Sequence, residues 1–187
     1  MLTGLSGTII NKAQLGRAID TSEVSVRDYL EIVDKTFLWR KVPSYEKSRS
    51  KSVVKMPKGI FRDLGLVHYL LGIETKDRLL KHPAVGLNFE SFVIEEILKG
   101  IQALGPIRFD YYYYRTRGGA EIDLVLDGTF GVLPFEIKLG TTTTLKQLSS
   151  LRKFVKDHKL PYGVVINNAK EIKPLAERII QIPIAYL

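Results

Sequence analysis

The chain has 187 residues, 45% of them hydrophobic and 26% charged, a balance that fits a globular chain and excludes a disordered one. It has no cysteine, which excludes disulfides, thiolate nucleophiles and cysteine-held zinc and leads us to expect a reducing, cytoplasmic setting. The net charge is +8, no apolar run approaches the roughly 18 residues of a membrane span, and the N-terminus carries no signal-peptide pattern, so no membrane partner is expected.

The charge is uneven: residues 1–62 hold 12 Lys and Arg against 6 Asp and Glu. In chain order, "NKAQLGRAI" (11–19) reads as a short helix with Asn11 as its cap. "DTSEVSVRDYLEIVDKTF" (20–37) reads as a longer helix capped by Ser22 or Ser25, with Val26, Tyr29, Leu30, Val33 and Phe37 as its apolar stripe. "LWRKVPSY" and "SVVKMPKGIFR" read as two strands around a basic loop. Two helices and a basic hairpin suggest a winged-helix-like segment. Its second helix carries Arg27 and Lys35 against Glu23, Asp28, Glu31 and Asp34, which argues against its lying in a major groove. Any contact with nucleic acid is therefore expected from the loop, where Lys47, Arg49, Lys51, Lys55, Lys58 and Arg62 form a run with no acid among them. Such a strip attracts phosphate backbones without reading sequence; the plainer reading is a solvated basic loop.

"DLGLVHYLLGI" (63–73) reads as a helix begun by Asp63, and "KDRLLKHPAVG" (76–86) as a polar connector. A second unit follows. "LNFESFVIEEILKGIQAL" is a long helix, "IRFDYYYYRT" a strand, and "AEIDLVLDGTFGVLPFEIKLG" (120–140) a pair of strands around a glycine-bearing turn. "TLKQLSSLRKFVKDH" is a helix with Leu145, Leu148, Leu151, Phe154 and Val155 inward, "PYGVVINN" a strand, and "RIIQIPIAYL" a closing extended piece. The expected architecture is an α/β (α+β) layer structure of order αβββαβ at residues 83–187, preceded by the winged-helix-like segment and a linking helix at 1–82. With no cap or strand expected ahead of "LTGLSGT", the abrupt start reads as the tail end of a longer protein.

The strand pair poses a chemical question. A turn at Gly128-Thr129-Phe130-Gly131 sets Asp127 opposite Val132, Asp123 opposite Glu136 and Glu121 opposite Lys138. These four residues then share one face, with Leu124, Leu126, Phe135 and Ile137 on the other. A two-residue Asp-Gly turn gives another register. Like charges opposed across a strand pair are destabilising and need compensation. A hard divalent cation, Mg²⁺ or Mn²⁺, coordinated by Asp123, Glu136 and Glu121 is one solution, with Lys138 positioning water and contacting phosphate. An exposed sheet face with a Glu121–Lys138 ion pair is the other. Glu90 falls on the core-facing stripe of its helix with Val93, Ile94, Ile97 and Ile101, so it joins the site or serves as a helix-start glutamate. Glu95, Glu96 and Lys99 fall off that stripe and read as surface residues. In "YYYYR" (111–115), alternating tyrosines go to the core or stack bases, with Arg115 and Arg117 on phosphates. Lys146 and Gln147 sit where they could reach a substrate, and the scattered His68, His82 and His158 have no metal-ligand spacing.

Glu90, Asp123 and the "EIK" of Glu136 to Lys138 together resemble the PD-(D/E)XK nuclease superfamily, although Ile122 stands where the motif has proline. Over most of the chain, "KGIFRDLGLVHYLLGI", "GLNFESFVIEEIL", "YYYYRTRGGAEIDLVL" and "FEIKLG" resemble the C-terminal region of a family of bacterial and archaeal AAA-type P-loop ATPases. In that family an ATPase domain precedes a winged-helix segment and a nuclease-like domain of unknown function. The chain contains no GxxxxGK[ST], so the ATPase part would be an upstream partner. The resemblance implies a restriction-endonuclease-like core and assigns functional positions to Glu90, Asp123, Glu136, Lys138, Arg115 and Glu121. Two functions are carried forward. One is metal-dependent phosphodiester hydrolysis of nucleic acid. The other is a catalytically inactive nuclease-fold module that binds nucleic acid or a protein and regulates the attached ATPase.

Overall fold

The computed structural model describes residues 2–46 and 55–187. It is a mixed α/β structure with two sheets, and the chain divides into two compact units. The first comprises Met1–Val42 and Met56–Phe92, the second Pro43–Lys55 and Val93–Leu187.

In the first unit, a short 3-10 helix at Leu2–Leu5 precedes strand β1 (Thr8–Ile9). Asn11 caps α1 (Lys12–Ala18) through the Gln14 amide, and Ser22 caps α2 (Glu23–Lys35) through the Ser25 amide. Strands β2 (Trp39–Val42) and β3 (Lys58–Phe61) follow, in an antiparallel sheet of order β1-β3-β2. Its strand β1 is absent from the sequence reading, because two residues leave no alternation to detect. Val26 and Leu30 of α2 are buried against Ile10, Leu15, Trp39, Phe61 and Val67. Tyr29 and Phe37, expected on the same stripe, are exposed. Phe37 lies past the helix end with φ 60°, and Arg62 sits 5.8 Å above its ring. Asp63 caps α3 (Leu64–Leu70) through the Leu66 amide. The expected connector contains a further helix, α4 (Lys76–Lys81), capped by Thr75 and carrying an Asp77–Lys81 pair one turn apart.

In the second unit, α5 (Val85–Ala103, its first turns counted with the first unit) leads into β4 (Phe109–Arg115), β5 (Glu121–Gly128), β6 (Gly131–Lys138), α6 (Ser149–Asp157), β7 (Gly163–Asn167), β8 (Lys173–Ala176) and β9 (Ile179–Pro183). The sheet order is β4-β5-β6-β7-β9-β8. The β6–β7 and β7–β9 pairs are parallel and the others antiparallel. The helix–three strands–helix–strand order read from sequence is present, followed by the unforeseen edge strand β8. Helix α6 starts at Ser149, later than expected, so Leu145 is exposed while Leu148, Leu151, Phe154 and Val155 join the core with Ile122, Val125 and Val165.

Tyr113 and Tyr114 are both buried. Tyr112 and Tyr114 pack on one hydrophobic cluster that Tyr113 does not join, so both faces of the strand are covered here. The edge of the sheet is covered as well. The Tyr45 amide donates to the Tyr113 carbonyl at 2.8 Å, and the Tyr113 amide donates to the Pro43 carbonyl at 2.9 Å. The chain at residues 43–45 therefore covers an edge that would otherwise offer unpaired backbone groups. The Tyr45 ring packs edge-on to Tyr112 at 5.4 Å, which turns part of the tyrosine run into core.

Two predictions concern the first unit, whose Trp39 is the chain's single tryptophan and reports its unfolding by fluorescence. A Cβ built on Gly59 would lie 1.9 Å from the Trp39 ring, so Gly59→Ala must displace a side chain that is 2% exposed. The expected loss is about 1–3 kcal/mol in urea denaturation; an unchanged midpoint refutes the packing argument. Burial, with His82 nearby, holds the His68 imidazole below its ordinary value. Its Nε2 lies 3.4 Å from Asn88 Nδ2, which fits the neutral ring as acceptor. A folded-state value below the unfolded value of about 6.5 means that this contribution is complete above that pH and is lost as pH falls through it. His68→Gln should flatten the Trp39-monitored stability profile between pH 7 and 5.

Candidate functional site

The turn at Gly128–Gly131 forms, with the two glycines paired to each other across it. Gly131 has φ 90°, and a Cβ on Gly128 would sit 2.9 Å from the Arg108 carbonyl oxygen, so both positions need glycine. Asp127 faces Val132 and Leu124 faces Phe135, which is the register expected from the four-residue turn. The strict two-sided alternation does not continue past that point. Opposite Tyr113 of β4, strand β5 has two residues, Asp123 and Leu124, between the Tyr112–Val125 and Tyr114–Ile122 pairs. This extra residue is a β-bulge. It is why Ile122 and Val125, three apart, join the same hydrophobic cluster.

The β5–β6 ladder ends at Leu124–Phe135, while β6 continues alongside β7 through Glu136, Ile137 and Lys138. The Ile137 amide is bound by a side chain instead: Asp123 Oδ2 accepts its hydrogen bond at 2.7 Å. Lys138 Nζ lies 2.6 Å from Glu136 Oε1 and 3.8 Å from Asp123 Oδ2. Asp123 is 4% and Glu136 6% exposed. The structure thus brings Asp123, Glu136 and Lys138 together, two buried carboxylates compensated by one ammonium.

The other expected site residues have different neighbours. Glu121 is bound by Arg115 at 3.3 Å across β4–β5, in place of the expected Lys138 pairing. Arg117 is exposed in the turn between those strands, where the Thr116 amide donates to the Ala120 carbonyl. Glu90 belongs to the first unit and pairs with Lys58 at 3.5 Å. Since α5 begins at Val85, Glu90 lies beyond the first turn, where a helix-dipole role fades. Lys58 itself is 3% exposed, so it leaves the expected solvated strip. Lys55 lies 3.7 Å from Glu46, both exposed. Lys47, Arg49 and Lys51 lie outside the described residues. Gln147 is occupied locally, its Oε1 accepting from the Thr144 amide and hydroxyl.

Sequence reasoning missed two features. Glu95, placed on the surface, is 2% exposed. Helix α5 buries Val93, Ile94, Ile97 and Leu98 around more than one stripe, and buried Ser91 and Leu98, at four before and three after Glu95, were the available signal. The second is a buried amide network. Asn167, beside Lys138 in the β6–β7 ladder, donates to Gln181 Oε1 at 3.0 Å and to Thr143 Oγ1 at 3.3 Å. Asn168 donates to the Leu139 and Gly140 carbonyls, fixing the chain directly after Lys138.

Among the described residues, no group of three or more His, Asp or Glu is arranged to hold a metal ion. The expected third carboxylate, Glu121, lies with Arg115, which leaves Asp123 and Glu136 as the two carboxylates that could hold a cation at the strand pair. Among the described residues, no helix is long and apolar enough to cross a membrane.

Residues 85–187, more than half of the chain, match the family model described as Domain of unknown function (DUF4143). The chain belongs to the DUF4143 family. Residues 1–77 match a second model, described as Domain of unknown function (DUF8612). Uncharacterized protein Mb2031c of Mycobacterium bovis and uncharacterized protein Rv2008c of Mycobacterium tuberculosis are each 29% identical to it over 183 residues. The match covers 98% of this chain and 40% of each relative, so the chain spans less than half the length of these curated relatives. No solved structure gives a significant match. The strand pair that carries Asp123, Glu136 and Lys138 lies wholly within the DUF4143 region.

A double-mutant cycle tests the charge compensation. Lys138→Met leaves two buried carboxylates facing each other and should cost about 2 kcal/mol or more. Adding Glu136→Gln should recover much of that loss, giving a coupling of about 1–3 kcal/mol. Additive effects in urea denaturation would show that the Lys138–Glu136 contact carries no stabilisation.

Proposed function

We propose that the DUF4143 region is a nuclease-like domain of the PD-(D/E)XK type that hydrolyses phosphodiester bonds of nucleic acid with Mg²⁺ or Mn²⁺. The observation that carries this reading is the buried pair Asp123–Glu136 sharing Lys138 at the end of a strand pair, within a helix–three strands–helix–strand order. The metal, when bound, supplies a charge-stabilising and water-activating centre. Asp123 and Glu136 hold it by hard oxygen ligands. The Ile137 amide orients the Asp123 carboxylate by holding Oδ2. Lys138, the most exposed of the three, orients the attacking water and offers a cation to the scissile phosphate. Arg117 in the adjoining turn, and Arg115 behind Glu121, are suited to flanking phosphates, as are Lys47, Arg49, Lys51 and Lys55. In this reading the first unit is a winged-helix-like module, Glu90 acts only through its pairing with Lys58, and an upstream ATPase domain is the expected partner in the longer protein.

A second reading has a specific observation in its favour. Lys138 already stands 2.6 Å from Glu136, so part of the charge is compensated without a cation. The domain would then bind nucleic acid or a protein partner without cleaving. Calorimetry with Mn²⁺ and cleavage of single- and double-stranded DNA and RNA separate the two. The first reading expects heat of Mn²⁺ binding and metal-dependent cleavage, both abolished by Asp123→Ala. Cleavage that persists in Asp123→Ala would falsify it, and absence of heat with retained nucleic-acid affinity selects the second.

A further inference from the structure

The first unit holds a cavity of about 280 Å³ bordered by α2 and strands β2 and β3. Leu30 and Trp39 give it an apolar wall. Five cations line it, Lys12, Arg27, Lys35, Lys41 and Lys58, against two carboxylates, Glu31 and Asp34. Both carboxylates are engaged: Asp34 by Lys41 at 3.1 Å and Glu31 by Lys35 at 2.9 Å. Arg27 and Lys58 have acidic partners, Asp28 and Glu90, that are not among the lining residues. Half-buried Lys12 has no ion-pair partner among the described residues. The lining thus holds more cations than acids, and its excess rests on Lys12, the other four being paired with acids. The Glu31 carboxyl is held below its usual value by its hydrogen bond and charge pairing with Lys35 first, with Lys41 and Arg27 contributing least.

We propose that this pocket binds a phosphate group, with Lys12 and Lys41 as its principal donors. A phosphate offers several acceptor oxygens and at least one negative charge, so it can take charge-assisted hydrogen bonds from more than one ammonium. Leu30 and Trp39 share the lining with Lys12 and Lys41. Lys41 is bridged to Asp34, whereas Lys12 has no ion-pair partner among the described residues. The phosphate belongs either to a nucleic-acid backbone or to a free phosphate. The site is independent of the carboxylate pair, and its loss leaves the proposed hydrolysis reading untouched.

The test uses the whole chain and two probes, inorganic phosphate followed by ³¹P line broadening and a labelled single-stranded oligonucleotide followed by anisotropy. Lys12→Glu should weaken binding of a probe by at least about tenfold, with Lys12→Gln intermediate. Lys156→Glu, an equal charge reversal at an exposed position of α6, should leave it within about twofold. Trp39 emission confirms that the first unit stays folded in each variant. Competition between the probes supports a backbone phosphate as the ligand, and phosphate binding that the oligonucleotide does not displace supports a free anion. Equal losses in Lys12→Glu and Lys156→Glu, or no binding of either probe by the unaltered chain, overturn the proposal.

Discussion

Strand β6 has to satisfy two neighbours that part company. As far as Phe135 it pairs antiparallel with β5, and from Phe135 to Lys138 it pairs parallel with β7. A backbone amide facing the side that β5 has left still needs an acceptor, because burying it unpaired is costly. At Ile137 that acceptor is the carboxylate of Asp123. The bulge at Asp123–Leu124 provides the extra residue that lets β5 turn aside while its carboxylate stays within reach. Once Asp123 is placed there, Glu136 one residue before Ile137 is close to the same ammonium, and Lys138 one residue after it serves both acids. The cluster of charges is thus tied to the way the ladder ends.

That dependence explains what could be read from the sequence. The glycines at 128 and 131 permit the turn that forms but left an Asp-Gly turn open as well; the observed turn sets the register as far as Leu124–Phe135. Periodicity then predicts a face shared by Glu121, Asp123, Glu136 and Lys138. A bulge has no signature in a period-two pattern, so the prediction holds for three of these and Glu121 goes to Arg115 instead. The same limit recurs elsewhere. Tyr114 is buried against Phe154 and Tyr113 is buried as well, and residues 43–45 bond the Tyr113 backbone at the edge of β4, contacts between segments far apart in sequence. Phe37 continues the helical stripe by spacing, yet the helix has ended and a left-handed turn sends its ring to solvent. Local signals such as the caps at Asn11, Ser22 and Asp63 were legible because they need only neighbouring residues.

Charge counts behave the same way. The basic run after residue 46 reads as one strip, but its described members have different partners. Lys58 is buried with Glu90, Arg62 stacks over Phe37, and Lys55 stands near Glu46. A strand sends successive side chains to opposite faces, so a linear run of cations cannot stay a single surface once part of it enters a sheet. Meanwhile Lys12, Arg27 and Lys41, which form no run in sequence, line one cavity.

The balance of charge at the strand pair links metal to substrate in the hydrolytic reading. The cluster sets two acidic side chains, Asp123 and Glu136, against one basic one, Lys138. A phosphodiester, also negative, gains nothing by approaching such a group unaided. A divalent cation held by Asp123 and Glu136 would supply compensating positive charge there, and Lys138, the most exposed of the three, would be the side chain left to face a phosphate. The Asn167 and Asn168 hydrogen bonds hold the neighbouring chain. In a module that only docks, the ammonium at 2.6 Å from Glu136 is the final compensation and the cluster is a structural plug. The two readings therefore differ in the partner of Glu136, and metal affinity and phosphate affinity should rise or be absent together.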